Sequence, residues 1–175
     1  MPHKTKIVRK PEGVGAELKS MACGSTGILL KLDIMEGKDA NHRKSFSAEF
    51  GEGTAVVLRL CSSLFGSGRI VHADSAFSSV KTLLALEQRG LYFQGMVKTA
   101  HKEYPMGFMK DWENGLEEGG VPSRGDWCLL ESKTPQNTNM YALGWKNRKL
   151  KTIISNAGPF LGIPANVNDT RRWKK

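Results

Sequence analysis

Residues 68–79 read GRIVHADSAFSS, and this stretch decides the fold that the sequence predicts. Its first part is a short apolar run ending at Asp74, which predicts a buried strand. Ser78 then predicts the cap of an apolar helix that ends at Gly90, and residues 91–97 are strand-like again. A strand-helix-strand unit with so short a helix indicates parallel neighbouring strands joined by a right-handed crossover. The centre of the chain is therefore predicted to be α/β.

Two strands and a helix are predicted before this unit. Apolar residues alternate with polar ones over 15–34, and the Gly-Ser pair at 24–25 suits a tight hairpin turn, so two antiparallel strands are expected. Residues 38–53 are polar and predict a loop. Thr54 predicts the cap of a helix that the glycines at 66–68 terminate.

Three strands are predicted after the central unit. Residues 101–125 carry a Gly-Gly pair and a proline and predict a loop. The strand-like runs that follow are 127–132, 140–145 and 150–155. They predict a β-meander at about 126–156 that completes a domain of residues 1–156, and the Gly- and Pro-containing residues 157–175 predict a basic flexible tail.

The chain is strongly basic. It has 175 residues, enough for one domain with a sizeable core, and carries 26 Lys and Arg against 17 Asp and Glu, for a net charge of +9. Such a balance favours a polyanionic partner, with nucleic acid first among them. Lysine-rich surfaces also serve solubility alone, and the net charge does not decide between the two interpretations.

The cysteines and the N-terminus indicate the cellular compartment of the protein. Cys23, Cys61 and Cys128 are far apart and form no C-x-x-C pair, which speaks against a disulfide framework and against a zinc site. The sequence has no export signal and no apolar run long enough to span a membrane. We therefore predict a nuclear or intracellular protein in a reducing environment.

Asp74 is the strongest candidate in this sequence for a catalytic or metal-binding residue. An aspartate at the carboxyl end of a parallel strand lies where open α/β sheets place their ligand-binding groups. An aspartate followed by serine is also favoured for ordering the turn into the next helix. From the residues alone, a turn-forming carboxylate and a metal ligand both stay open.

The segment 68–79, with the apolar helix, glycine and strand behind it, resembles the second catalytic aspartate segment of piggyBac-type DDE transposases. Other features agree in order: the Lys-Pro segment at 9–15, the turn at 23–27, the loop and helix at 51–64 and the late strand pair at 145–156. The resemblance covers most of residues 4–156. It implies an incomplete ribonuclease H-like fold, with a mixed sheet and flanking helices, followed by the β-meander.

The resemblance also implies a chemistry. Such transposases cut and rejoin DNA with three acidic side chains that hold two divalent ions, usually Mg²⁺, because two ions activate the attacking oxygen and stabilise the leaving one. Asp74 matches the second acid and would be both catalytic residue and metal ligand. The first family acid belongs to a strand upstream of the Lys-Pro segment and the third to a later helix, and no residue here takes either role. We therefore expect a pseudoenzyme that binds no metal stably.

The absent first strand has a structural consequence in this interpretation. In ribonuclease H-like sheets it is central, so its neighbours would be left with unpaired edges. Residues 5–9 are a short candidate for a substitute strand, and a partner protein chain that supplies a strand is the alternative.

Two basic clusters are candidates for nucleic-acid binding. The first lies around a turn beside Trp145 and the second surrounds Trp173, and basic groups next to tryptophan suit phosphate contact with base stacking. Their members are Lys146, Arg148, Lys149 and Lys151, and Arg171, Arg172, Lys174 and Lys175. A solvated hairpin end explains the first cluster equally well, and a nuclear address explains the second.

Together these observations predict a transposable-element-derived fragment of a cut-and-paste DNA transposase. It would be inactive alone and would bind DNA weakly and without sequence preference. Two alternatives come from other classes: a domesticated protein-interaction module, and a nuclease completed by another chain.

Overall fold

The computed structural model describes residues 5–6, 11, 13–98, 103–158 and 170–172, with the backbone alone at 5–6 and 170–172. The chain divides into two compact units, Met1–Phe65 and Gly66–Lys175.

The described residues of the first unit form four strands and three helices. Strands β1 (Thr5–Lys6) and β2 (Val14–Gly15) pair antiparallel, and so do β3 (Glu17–Ala22) and β4 (Leu29–Met35). Helices α1 (Lys38–Arg43), α2 (Ser47–Phe50) and α3 (Glu52–Cys61) follow, and a 3-10 turn at Ser62–Leu64 extends the last of them. The predicted hairpin is confirmed. Its turn is wider than the predicted Gly-Ser pair, because Cys23 N donates to Ile28 O and Gly27 N donates to Cys23 O.

The β3–β4 hairpin has one apolar face and one charged face, and the apolar face is the exposed one. Leu18 on β3 and Leu32 and Ile34 on β4 are all about half exposed. On the other face Asp33 accepts from Arg59 of α3 and from Lys44 at 2.7 Å and 3.0 Å. The charged pairs therefore face the helices, and the core of this unit lies in α3, where Ala55 and Leu58 are fully buried.

Two predictions for the first unit are wrong. Residues 38–53 are not a loop, because they form α1, α2 and the start of α3. These short helices lack apolar periodicity and depend on polar contacts such as that of buried Asn41, whose Oδ1 accepts from Glu36 N at 3.1 Å. Thr54 does not cap α3 either: Gly51 is the N-cap residue, and Thr54 is buried inside the helix.

The second unit is a mixed sheet with helices. Its elements are β5 (Ile70–Ala73), α4 (Val80–Glu87), β6 (Tyr92–Met96), α5 (Met106–Glu113), β7 (Trp127–Lys133), β8 (Asn139–Lys146), β9 (Leu150–Ser155) and β10 (Thr170–Arg172). The strand order is β10-β7-β8-β9-β6-β5. The predicted α/β class, with a mixed sheet and flanking helices, is confirmed.

The pairings inside this sheet follow the prediction closely. Strands β5 and β6 are parallel and in contact, as the strand-helix-strand unit predicts. The pairs β7–β8 and β8–β9 are antiparallel and form the predicted β-meander. Strand β9 also pairs antiparallel with β6, which joins the meander to the parallel pair. The core lies along these strands and α4, where Phe93, Leu83 and Ile154 are fully buried.

Three predictions for the second unit are wrong. Strand β5 is not buried, because it lies at the edge of the sheet and Ile70 is 49% exposed. Ser79, not Ser78, caps α4: the Ser79 hydroxyl accepts from Thr82 N at 3.0 Å. The predicted loop at 101–125 contains α5, which is held by the buried side chains of Met106, Met109 and Trp112.

The N- and C-terminal predictions have mixed outcomes. Of the candidate substitute strand at 5–9, residues 5–6 form β1, which pairs with β2 in a two-stranded sheet, and residues 7–9 lie outside the described residues. Within the predicted tail, Thr170–Arg172 form β10, which pairs parallel with β7. The remainder of the tail beyond residue 158 lies outside the described residues.

Candidate functional site

Asp74 lies directly after β5 at its carboxyl end, as predicted, and is exposed. Its Oδ1 accepts from Ala76 N at 2.8 Å, and its carbonyl oxygen accepts from Phe77 N at 3.2 Å. The Ser78 hydroxyl donates to the same carbonyl oxygen at 2.7 Å. An aspartate that accepts from the backbone two residues on forms an Asx turn. One of its carboxylate oxygens is thus engaged in ordering the start of the loop that leads to α4.

Strand β6 lies close behind this turn, at a glycine. A Cβ placed on Gly95 would lie 2.1 Å from Ser78 Oγ and 2.9 Å from Ala73 O. Any side chain here would collide with the residues that flank Asp74. The Asp74 turn therefore packs directly against β6 at Gly95, where the absence of a Cβ leaves room for it.

Asp74 is not part of an acidic set of the kind that two metal ions require, among the residues that the structure describes. Over the ranges that the structure describes, no three His, Cys, Asp or Glu residues lie together as a group that could hold a metal ion. Divalent ions in phosphoryl-transfer sites are held by several oxygen ligands at once. Asp74 with its neighbours therefore does not fit the Mg²⁺ pair that the transposase resemblance implies.

The first basic cluster lies at the turn between β8 and β9. Arg148 and Lys149 are exposed at the turn itself, and Lys151 is exposed on β9. Trp145 is 41% exposed and is the cross-strand partner of Lys151. The structure thus brings three cations and one exposed indole together at one end of the meander.

Lys146 differs from the rest of this cluster. Its Nζ lies 2.8 Å from Oε1 of Glu113, the last residue of α5, and the same oxygen accepts from Leu150 N at 3.0 Å. The hydrogen bond from Lys146 holds the pKa of Glu113 below its ordinary value. Lys146 therefore anchors the turn to α5, and its charge is partly offset.

Glu113 is the functional neighbour that the sequence does not reveal. Because the sequence predicts a loop at 101–125, it offers no partner for Lys146 there. The signal for a helix is nevertheless present as Met106, Met109 and Trp112, spaced three apart on one helical face.

The second basic cluster is described only in part. Arg171 and Arg172 belong to β10, whose backbone pairs with Leu130 and Glu131 of β7. Lys174 and Lys175 lie outside the described residues. The structure therefore does not bring the two predicted clusters into one described surface.

Comparison with known proteins identifies the family. The whole chain, residues 1–175, matches the family described as Transposase IS4. The chain belongs to the Transposase IS4 family. No curated protein matches this Transposase IS4 sequence.

One solved structure has a similar fold. It is the cryo-EM structure of a piggyBac transposase synaptic complex with hairpin DNA, which is similar with a TM-score of 0.71 and 18% identity. The match covers 94% of this chain and 31% of that chain. This Transposase IS4 domain therefore has the fold of part of a piggyBac-type transposase and spans about a third of that protein's length. Among the described helices, none has the length and apolar character needed to cross a membrane.

Proposed function

We propose that this chain is a DNA transposase-derived domain that binds DNA through the turn between β8 and β9 and does not catalyse strand transfer by itself. The observation that carries the proposal is the family match over residues 1–175, taken together with the exposed Arg148 and Lys149 beside Trp145. Basic side chains next to an exposed indole suit backbone phosphates and stacked bases.

The proposed inactivity of the single chain is based on the number of carboxylates available to bind metal ions. A two-metal nuclease of the DDE type needs several carboxylates, and Asp74 supplies one, with an oxygen already engaged by Ala76 N. We expect the purified chain to neither nick nor join DNA with magnesium or manganese. Turnover that disappears in Asp74→Asn would overturn this part of the proposal.

DNA binding is tested by its dependence on salt. The logarithm of affinity should fall linearly with the logarithm of salt concentration, and the slope should shrink by about 0.9 for each phosphate that a variant no longer neutralises. The double variant Arg148→Ala/Lys149→Ala should reduce both the affinity and the slope in a fluorescence anisotropy titration with duplex DNA.

The matched control removes the same two side-chain types elsewhere. Arg69 precedes β5. Lys133 is the last residue of β7 and pairs with the end of β8 that lies away from the basic turn. Both side chains are exposed. The variant Arg69→Ala/Lys133→Ala therefore changes the net charge equally. An equal decrease of slope in both double variants would mean that net charge, and not the turn, carries the binding.

The open edge of β5 favours a second candidate, a nuclease completed by a partner chain. Strand β5 ends the sheet order within the described residues, so its outer backbone groups can accept another strand. A partner strand that carries an acid would approach Asp74 from this side. Activity that appears only when an acid-bearing partner chain is added would support this candidate over the inactive domain.

A further inference from the structure

Two tryptophans lie opposite each other at one end of the β-meander. Trp127, the first residue of β7, is the cross-strand partner of Trp145 on β8, and Trp145 is in turn the partner of Lys151 on β9. Directly opposite residues of antiparallel strands project from the same face of a sheet, with Cβ atoms about 5 Å apart. Trp127, Trp145 and Lys151 therefore form one row across three strands, which we call the tryptophan row.

The tryptophan row lies on the face of the sheet that is turned away from α5. At Gly144, next to Trp145, an added Cβ would lie 2.7 Å from Met109 Sδ of α5, and successive side chains of a strand point to opposite faces. On the face of the row, the next cross-strand pair is Leu129 with Leu143, which are 5% and 7% exposed. The two tryptophans are 36% and 41% exposed. The sheet face thus changes from covered to open at the indoles.

Basic groups lie beside this open end of the meander. Arg148 and Lys149 are exposed at the turn between β8 and β9, and Arg124 is exposed in the loop before β7. That loop is held to the same end of the meander, since the backbone N–H of the residue after Arg124 donates to Lys146 O at 2.7 Å. These three cations and the lysine of the row provide positive charge next to two aromatic surfaces, which is the combination that binds single-stranded nucleic acid.

The two ends of the row differ in charge. Asp126 and Glu118 line a depression that Trp127 also lines. Asp126 Oδ2 accepts from Ser123 N at 2.7 Å, so this carboxylate is held beside Trp127. Phosphates are repelled by carboxylates and attracted by the basic turn, so the Trp145 end of the row is the more favourable one for a nucleic-acid strand.

On the basis of the DNA binding proposed above, we propose that the tryptophan row binds single-stranded DNA. Unpaired bases stack on Trp145 and Trp127, and the basic turn neutralises the backbone phosphates. Bases in a duplex are stacked on one another and present only their edges, whereas unpaired bases offer their faces to aromatic side chains. Aromatic residues on an open sheet face stack about two or three unpaired bases in other nucleic-acid-binding folds. Because every base has an aromatic face, we expect little sequence preference.

Fluorescence anisotropy titrations of the full 175-residue chain test this preference. The ligands are a single-stranded oligothymidylate, an abasic strand of the same length that keeps the sugars and phosphates, a duplex of the same length, and an oligouridylate. At about 0.15 M salt, where phosphate contacts are weakened, the oligothymidylate should bind on the order of tenfold or more tighter than the abasic strand. Equal affinity for the intact and abasic strands, or tighter binding of the duplex than of the oligothymidylate, overturns the proposal. Tighter binding of the oligouridylate overturns the assignment to DNA.

Variants locate the stacking contribution. Trp145→Leu keeps an apolar side chain but removes the ring, and should weaken oligothymidylate binding roughly five- to hundredfold while leaving the affinity for the abasic strand unchanged. Trp127→Leu should weaken it less, and Trp145→Phe should retain most of the affinity. Tyr92→Leu is the matched control, since it removes an aromatic side chain that is 44% exposed on β6, outside the row. Equal losses in Trp145→Leu and Tyr92→Leu overturn the site.

The same titrations separate this proposal from the proposed function. Thermal melts establish that each variant is folded, and the comparison of intact with abasic strands uses the unaltered chain, so it does not depend on any variant. Arg148→Ala/Lys149→Ala should weaken the binding of every DNA ligand. If this double variant weakens binding but intact and abasic strands bind equally, the DNA-binding turn stands and the tryptophan row is wrong. If no DNA ligand binds, the proposed function itself is wrong.

Discussion

Asp74 shows how one carboxylate can serve the turn that follows a strand. Its Oδ1 accepts from Ala76 N while the backbone around it is held by Ser78. Nothing in this arrangement requires a negative charge, since the neutral amide of asparagine offers an equivalent oxygen at the same place.

At this residue we predict that Asp74→Asn changes the free energy of unfolding by less than about 1 kcal/mol, because Asn and Asp order such turns about equally well. Asp74→Ala, which removes the acceptor, should cost more. Thermal melts with and without millimolar magnesium provide the measurement, and neither form should shift. A magnesium-dependent rise in melting temperature seen only with the native aspartate would show that an acidic metal site does assemble.

The position of Asp74 could be predicted from the sequence, whereas the residues that surround it could not. Its place after β5 depends on a local run of apolar residues, and such local patterns can be recognised in the sequence without a structure. The close approach of Gly95 to Ser78 depends on how two strands pair. The contact between Glu113 and Lys146 joins residues 33 positions apart and has no local signal.

Helix α5 matters as an element because it fixes the basic turn. Glu113 at its end binds both Lys146 Nζ and Leu150 N, so the helix holds the two strands on either side of the turn. The basic side chains at 148 and 149 therefore lie on a hairpin turn that Glu113 holds in place.

We predict that Glu113→Gln destabilises the chain by about 0.5–1 kcal/mol at neutral pH, because glutamine keeps an acceptor for Leu150 N but loses the ion pair with Lys146. Lys146 lowers the pKa of Glu113 in the folded state, so the ionic contribution is present above the ordinary carboxyl pKa. It is lost as the pH falls through the lower folded-state value. Denaturant unfolding at neutral and acidic pH should show the gap between native and variant closing in acid.

Elements with a regular apolar pattern are predictable from the sequence, and elements without one are not. The three strands of the meander are predicted to within one residue at each end because their alternation is strong. Helices α1 and α2 are six and four residues long and have only one buried residue each, Asn41 and Ser47. Such short polar helices depend on tertiary contacts, and their sequence is indistinguishable from that of a loop.

At the scale of the whole molecule, charge and exposed apolar surface are distributed unevenly. The chain is basic overall, and exposed basic side chains are concentrated at the turn after β8. Strand β5 lies at the edge among the described strands of the sheet, and its Ile70 and the neighbouring Tyr92 of β6 are both more than 40% exposed. An open edge with apolar side chains is a template for association with another strand.

We therefore predict that Ile70→Lys lowers the concentration-dependent self-association of the purified chain, because a lysine on an edge strand opposes edge-to-edge pairing. Sedimentation velocity over a range of concentrations measures the effect. Leu116→Lys is the matched control, since Leu116 is 74% exposed but lies in a loop. If both lysines reduce association equally, added charge is the cause and the edge of β5 is not.

The glycine behind the Asp74 turn also bears on the history of the gene. Every nucleotide change that replaces a glycine codon with that of another amino acid adds at least a Cβ, and at Gly95 that atom meets Ser78 Oγ and Ala73 O. At Gly107, in α5, an added Cβ meets nothing within 4 Å. Where natural selection maintains the fold, replacement alleles at Gly95 should be purged from populations while those at Gly107 persist. In a gene that drifts neutrally, both should accumulate at the same rate.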